Sequence, residues 1–353
     1  MNILVINPGS TSTKIAIFHD KELIHKRNIS HSTDELKQFA TIIDQFDYRK
    51  QMVLAELEHT EIPLQFDAVI GRGGLTKPLD GGVYEVNEAM IADIKSNEHS
   101  HASDLGCIIA AAIADEIEGC RKFIADPVIV DELCDYARVS GNPLLPRISI
   151  WHALNQKAIA RRFAKGRGKK YEDLNLIVCH LGGGISVAAH MHGKAVDVSN
   201  ALDGEGPFAP ERCGSVPAGA LIRLCFSGKY TQEELLKQVA GNAGLAAHLG
   251  TNDMRAIEDR VNNGDEKAKF MVDAMIYHIA KEIASKGAVF CGQPDAILLT
   301  GGIAHWTYVV DEIRKRVSYL APVYNFPGED EMQALADNAL AVLRGEREAK
   351  VFE

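Results

Sequence analysis

Ile3-Leu4-Val5-Ile6-Asn7-Pro8-Gly9-Ser10-Thr11-Ser12-Thr13-Lys14-Ile15-Ala16-Ile17-Phe18 is the stretch that decides how this chain folds. Two short apolar runs, 3–6 and 15–18, predict strands joined as a hairpin, and the turn between them is full of hydroxyls and ends in a lysine. The same device returns roughly 170 residues later. Leu176-Ile177-Val178-Cys179-His180 leads into Leu181-Gly182-Gly183-Gly184, and Ile185-Ser186-Val187-Ala188-Ala189 follows. That spacing is too long for a solenoid repeat but fits two related domains that each open with a strand, a small-residue turn and a returning strand. Helical patterns at Ser103 to Glu118, Ile150 to Phe163, Asp265 to Cys291 and Met332 to Arg347 alternate with these strands, which predicts two α/β domains with a cleft between them. We expect the first lobe over roughly residues 1–150 plus the C-terminal helix region 325–353, and the second over 151–324.

Composition narrows the class of function. The 353 residues are 46% hydrophobic and 24% charged, which excludes wholesale disorder, a collagen-like repeat and a disulfide scaffold. Forty-eight acids against 38 Lys plus Arg give a net charge of −10, so a nucleic-acid backbone is a poor partner, while a small anion in a locally positive pocket is not excluded. No apolar run approaches membrane-spanning length and the start lacks a basic leader, so no membrane role and a cytoplasmic location are expected. Seven scattered cysteines, none in a C-x-x-C pair, are expected to be reduced and mostly buried.

Three small-residue turns carry the chemistry. Gly9 to Lys14 is not a P-loop, because a Walker A sequence has its second glycine before the lysine and a helix after it, whereas a strand follows here. Its parts still suit phosphate: turn N–H groups, hydroxyls at Ser10 and Ser12, and the Lys14 ammonium. Gly182, Gly183 and Gly184 let backbone approach a ligand closely, or simply make a sharp turn. Ala296 to Ala304 is an apolar strand that ends in Gly301-Gly302 at a helix start, the place where an α/β sheet receives a nucleotide. Singly each is an ordinary turn; together, one after another at strand ends, they are more specific.

These turns and the repeated hairpin resemble the architecture shared by actin, hexokinase and the Hsp70 ATPase, a ribonuclease H-like fold with duplicated mixed sheets. Asn7 to Lys14 resembles, more narrowly, the opening of the acetate and butyrate kinase family. Matches at Gly71-Arg72-Gly73-Gly74, Asp126 to Glu132, His152 to Lys157, His180 to Gly184, Thr300 to Ala304 and Pro327 to Ala336 spread that resemblance over the chain. It implies transfer of the γ-phosphoryl group of ATP to a short carboxylate such as butyrate or isobutyrate, with ADP as product and Mg²⁺ as cofactor. It also implies a homo-oligomer. Arg72 then matches the arginine that contacts the acyl substrate, and Arg212 the one that stabilises the oxygens in transit; the planar fork suits both anions. His152 matches a histidine that donates to the moving phosphoryl group. Asp126 and Asn7 match groups beside Mg²⁺ and the phosphates. His180 and the three glycines match a phosphate-binding turn, Asp253 and Arg255 the stretch that touches the nucleotide, and Gly301 and Gly302 the floor beneath the adenosine.

The chain departs from acetate kinases in three places. Gly183 replaces an asparagine, His305 stands where a metal-associated glutamate is expected, and Gly73-Gly74 replaces bulky valines, which is expected to leave room for a longer acyl tail, with Trp151 as a pocket wall or a core residue. The competing class is an ATP-gated binding module like actin or Hsp70. It offers no reason for Arg72, His152 and Arg212 to match kinase positions. A sugar kinase or exopolyphosphatase on the same architecture lacks the whole-length motif match.

Overall fold

The computed structural model describes residues 1–60, 62–63, 65–96 and 101–353. The chain forms two compact units, 1–130 with 330–353, and 131–329. Residues 131–150 go with the second because their polar groups are satisfied there. The Cys134 N–H donates to the Val196 carbonyl at 2.9 Å, and the Arg147 guanidinium reaches Asp197, Glu205 and the Val198 carbonyl.

In the first unit β1 (Asn2–Pro8), β2 (Ser12–His19) and β3 (Glu22–Ser30) are antiparallel neighbours. β4 (Ala68–Arg72) pairs parallel with β1 on its other side, β6 (Arg121–Ala125) parallel with β4, and β5 (Val83–Glu85) antiparallel with β6; the C-terminal strand Lys350–Val351 closes that edge. β1 and β4 are buried on both faces, as their unbroken apolar runs require, while the edge strand β3 is mostly exposed and carries Lys26 and Arg27, which discourage edge-to-edge pairing.

The second unit repeats the plan. β7 (Leu176–Leu181), β8 (Ile185–Met191) and β9 (Lys194–Val198) are antiparallel, and β10 (Ala296–Gly301) then β11 (Val323–Pro327) add in parallel beyond β7. The order β6-β4-β1-β2-β3 in one unit and β11-β10-β7-β8-β9 in the other is the duplicated mixed sheet expected from the hairpin echo. The longest helix, Glu266–Gly287, is capped by Asp265 and lays Val272, Met275, Ile276, Ile279 and Ile283 against Ile177, Val187 and Leu299. No helix among the described residues is long and apolar enough to cross a membrane.

One expectation changes. None of the seven cysteines is bonded to another, but only Cys107 and Cys179 are buried, while Cys134, Cys225 and Cys291 are exposed. Burial pushes the Cys107 thiol up to about 12, so it behaves as a small apolar group; the exposed three lie in loops or at helix ends, where no apolar stripe draws them inward.

The helix Asp104–Ala114 packs directly on β4 because both lack a side chain at the contact. A methyl at Gly71 would lie 2.0 Å from the Gly106 carbonyl oxygen, and one at Gly106 would lie 2.3 Å from the Arg72 carbonyl oxygen. Neither obstacle is a flexible side chain. Gly106→Ala should therefore destabilise the protein by about 3 kcal/mol, the upper end for core overpacking, read as a lower thermal unfolding midpoint; an unchanged midpoint would mean that the two backbones are not in contact.

Candidate functional site

Register builds the polar edge of the first unit. Ile6 pairs with Gly71, Gly71 with Ile124 and Arg72 with Ala125, so β1, β4 and β6 finish at one edge and present Asn7, Arg72 and Asp126 there. Asp126 sits at φ +40, a conformation that a non-glycine residue adopts at a cost of roughly 1–3 kcal/mol, and is 1% exposed. Two bonds to one glycine hold it. Its N–H donates to the Gly82 carbonyl at 2.9 Å and its Oδ1 accepts the Gly82 N–H at 2.8 Å.

A carboxylate absent from the sequence-derived set joins them. Glu331, the first residue of the helix Glu331–Leu343, accepts from Asn7 Nδ2 at 2.7 Å and from an Arg72 terminal nitrogen at 3.2 Å, both on Oε2. It lies in the Pro327 to Ala336 motif, yet only the fold shows that this helix start lies beside β1 and β4.

The hydroxyl-rich turn is held from below. Arg49, 1% exposed, donates to the carbonyls of Gly9 at 2.8 Å, Ser10 at 3.0 Å and Ser12 at 3.2 Å. Three carbonyls that would repel an anion are thus engaged by a cation, while Ser10 and Lys14 are exposed and Ser12 is half-buried. His31 Nε2 braces the same turn, 2.8 Å from Thr13 Oγ1. Neither Arg49 nor His31 has a sequence signal; a charged residue on a weakly amphipathic helix reads as surface.

The second unit holds an open cavity of about 910 Å³, large enough for a nucleotide, lined in part by Gly182, Gly183, Asp253, Arg255, Gly302 and His305. Asp253 caps the helix Met254–Asn262 by accepting from the Arg255 N–H at 2.9 Å. Gly301 serves β10 instead: at φ +93, a methyl on it would lie 2.3 Å from the Leu181 carbonyl oxygen. Gly184 lies under His152, whose ring stacks on that of His180 at 3.8 Å and 12°. His180 is 2% exposed, with Nδ1 2.8 Å from Asn155 Oδ1 and Nε2 3.1 Å from Glu329 Oε1. Arg212 donates to Glu211 Oε1 at 2.9 Å, and its Nε is buried with no hydrogen-bond partner among the described residues.

One expectation about the acyl pocket fails on geometry, and Trp151 takes the second of its two readings. Methyls at Gly73 would meet the Pro127 Cβ at 2.7 Å, and at Gly74 the Asp104 Oδ1 at 1.8 Å. The space left by the missing valines is filled by the chain itself and is not a cavity. Trp151 is 2% exposed and packs edge-on against His190 at 5.7 Å, as a core residue. For metal, no group of three or more His, Cys, Asp or Glu among the described residues has the arrangement of a binding site. Asn7 and Asp126, both buried oxygen donors at the ends of the two strands that flank β4, suit a hard dication that keeps most of its shell as water and phosphate oxygen.

Comparison with known proteins gives one answer at three levels. The profile of the acetokinase family matches residues 147–338. A Bacteroides thetaiotaomicron protein named probable butyrate kinase is 58% identical over 353 residues, covering 100% of both chains. Butyrate kinase 2 of Clostridium acetobutylicum is 52% identical over 99% of both. Among solved structures, Porphyromonas gingivalis acetate kinase superposes with a TM-score of 0.81 at 19% identity, over 97% of this chain and 99% of that one. A Francisella tularensis propionate kinase does so at 0.74 and 20%, over 96% and 98%. At such identities the superpositions speak for the fold.

Burial and the neighbouring Arg49 charge push the His31 imidazole down from 6.5 to about 4. The unfolded chain then takes up a proton below 6.5 that the folded one refuses until about 4, so stability is full above 6.5 and lost as pH falls through that window. Denaturant unfolding of wild type and His31→Asn from pH 7 to 4 should show the steeper acid loss in wild type; parallel curves would remove His31 from the turn's support.

Proposed function

The chain belongs to the acetokinase family, and from that premise we propose that it transfers the γ-phosphoryl group of ATP to butyrate, giving butyryl phosphate and ADP by direct in-line displacement. The observation that carries the substrate is the full-length 58% identity to a protein named probable butyrate kinase, with a second such relative at 52%. The need for ATP supports a cytoplasmic location, and the same resemblance carries the expectation of a homo-oligomer, which light scattering reads directly.

A carboxylate is already anionic at neutral pH and needs no base to attack, which explains why arginines and a histidine dominate the proposed set. Arg72 orients the acyl carboxylate. Glu331 engages one terminal nitrogen of its guanidinium, which pins the fork and leaves the other N–H groups for substrate. Arg212 neutralises charge on the transferring oxygens, its buried unpaired Nε being a donor whose partner arrives with the nucleotide. His152 donates to the same group. Ser10, Ser12 and Lys14 hold the phosphates through hydroxyls and an ammonium, with Arg49 keeping the turn's carbonyls engaged. His180, Gly182, Gly183, Gly184, Asp253, Arg255, Gly301 and Gly302 form or shape the nucleotide-binding surface of the second unit. Asn7 and Asp126 would hold Mg²⁺, Asn7 through the oxygen left over once its nitrogen is engaged by Glu331. When bound, the ion neutralises charge on the phosphates.

Hydroxamate-trapped acyl phosphate formation tests the assignment. Arg212→Ala should lower kcat by roughly 100-fold or more while changing the KM for ATP only a few-fold, because the contact strengthens in the transition state. Unchanged turnover would remove Arg212 from the mechanism, and ADP formation indifferent to any carboxylate would overturn the kinase assignment itself. Across acetate, propionate, butyrate and valerate, kcat/KM should change by about 4-fold per methylene up to butyrate, the value of one buried CH₂.

A further inference from the structure

We propose that four buried side chains, Tyr171, His190, Gln156 and Ser186, form a one-way hydrogen-bond chain that holds the His152 ring as its Nε2–H tautomer, making them positioning residues for phosphoryl transfer. The inference rests on His152 acting as a donor to the migrating group, as proposed above.

The direction of the chain is set by one atom that can only accept. Gln156 Nε2 lies 3.1 Å from the backbone carbonyl oxygen of Ser186 and 2.8 Å from Ser186 Oγ. A carbonyl has no hydrogen to give, so the amide must present its NH₂ there and its oxygen on the other side. That oxygen faces His190 Nε2 at 3.0 Å, and this ring nitrogen must therefore carry the hydrogen. His190 is 0% exposed, and burial together with the Lys157 and Arg161 charges opposes a second proton. Its Nδ1 is bare, and accepts the Tyr171 O–H at 2.5 Å.

At the other end Ser186 Oγ, also 0% exposed, takes the Gln156 N–H and faces the His152 backbone N–H at 3.4 Å. With both lone pairs occupied, its own hydrogen is directed at His152 Nδ1, 2.8 Å away. A hydrogen on Nδ1 would instead leave Oγ facing three N–H donors with two lone pairs. The neutral His152 ring is thus a hydrogen-bond acceptor at Nδ1 and carries its hydrogen on Nε2. The stack on His180 fixes the plane of the ring as the chain fixes its hydrogen. The tautomer matters because an Nε2–H stabilises an anionic oxygen, whereas a bare Nε2 lone pair repels it.

The test uses the whole protein labelled with nitrogen-15 histidine and free of substrate. Two-bond proton–nitrogen correlation shows which ring nitrogen carries hydrogen, with His152 assigned by its disappearance in His152→Gln. Wild type should show the Nε2–H pattern for both His152 and His190. Ser186→Ala, which deletes the donor to Nδ1, should shift His152 toward an Nδ1–H mixture and lower kcat roughly 10- to 100-fold with the KM for ATP within about twofold. Should that variant fail to fold, Ser186→Cys, which keeps a side chain facing Nδ1 but makes it a weak donor, should shift His152 in the same direction and lower kcat several-fold. A wild-type His152 with its hydrogen on Nδ1 would overturn the proposal, as would an unaltered Nε2–H pattern in the folded variants. Full turnover in His152→Gln would instead overturn the role of His152 in transfer, leaving the tautomer measurement standing by itself.

Discussion

Three parallel strands that stop within a residue of one another are the constraint from which the first unit's chemistry follows. Parallel pairing of β1, β4 and β6 brings Asn7, Arg72 and Asp126 to one sheet edge although more than 50 residues separate each from the next. Keeping that edge requires the helix Asp104–Ala114 to lie hard against β4, which only the facing glycines 71 and 106 permit. It also requires Asp126 to turn at φ +40, held by two bonds to Gly82. Close packing and local strain here serve the same end, a row of polar groups delivered by a rigid sheet.

An acidic protein that binds anions must keep its cations from being spent on its own acids. The structure solves this by monodentate pairing. Glu331 meets one Arg72 nitrogen, and Glu211 one of Arg212. A partly buried cation left alone would be costly, and one fully clamped by a bidentate carboxylate would be useless to a substrate. The half-satisfied fork lies between these limits.

What the sequence made legible were features with a short physical period or a local signature. Strand β7 and its glycine turn, the capped helix that begins after Asp265, and the repeated hairpin all follow from residues adjacent in the chain. Arg49, Glu331 and the set Gln156, Ser186 and His190 did not, because each owes its role to a partner between roughly 30 and 320 residues away that no local pattern encodes. The glycines after Arg72 misled in an instructive way. A lost side chain suggests lost volume, but Pro127, Ile124 and Asp104 fill it, since protein interiors do not keep voids.

That last point bears on how chain-length preference is built. If the space beside Gly73 and Gly74 is filled by Pro127 and Asp104, a longer acyl tail is not accommodated by simple subtraction of two isopropyl groups. The substitution instead lets the 101–104 turn, fixed by Asp104 accepting from the His101 and Leu75 N–H groups, sit against the segment that carries Arg72. Burial raises the pKa of the Asp104 carboxyl while these two bonds lower it, so the group is held by backbone and not by a cation. What the two glycines set is how closely that turn lies against the Arg72 segment, and not an open volume beside it.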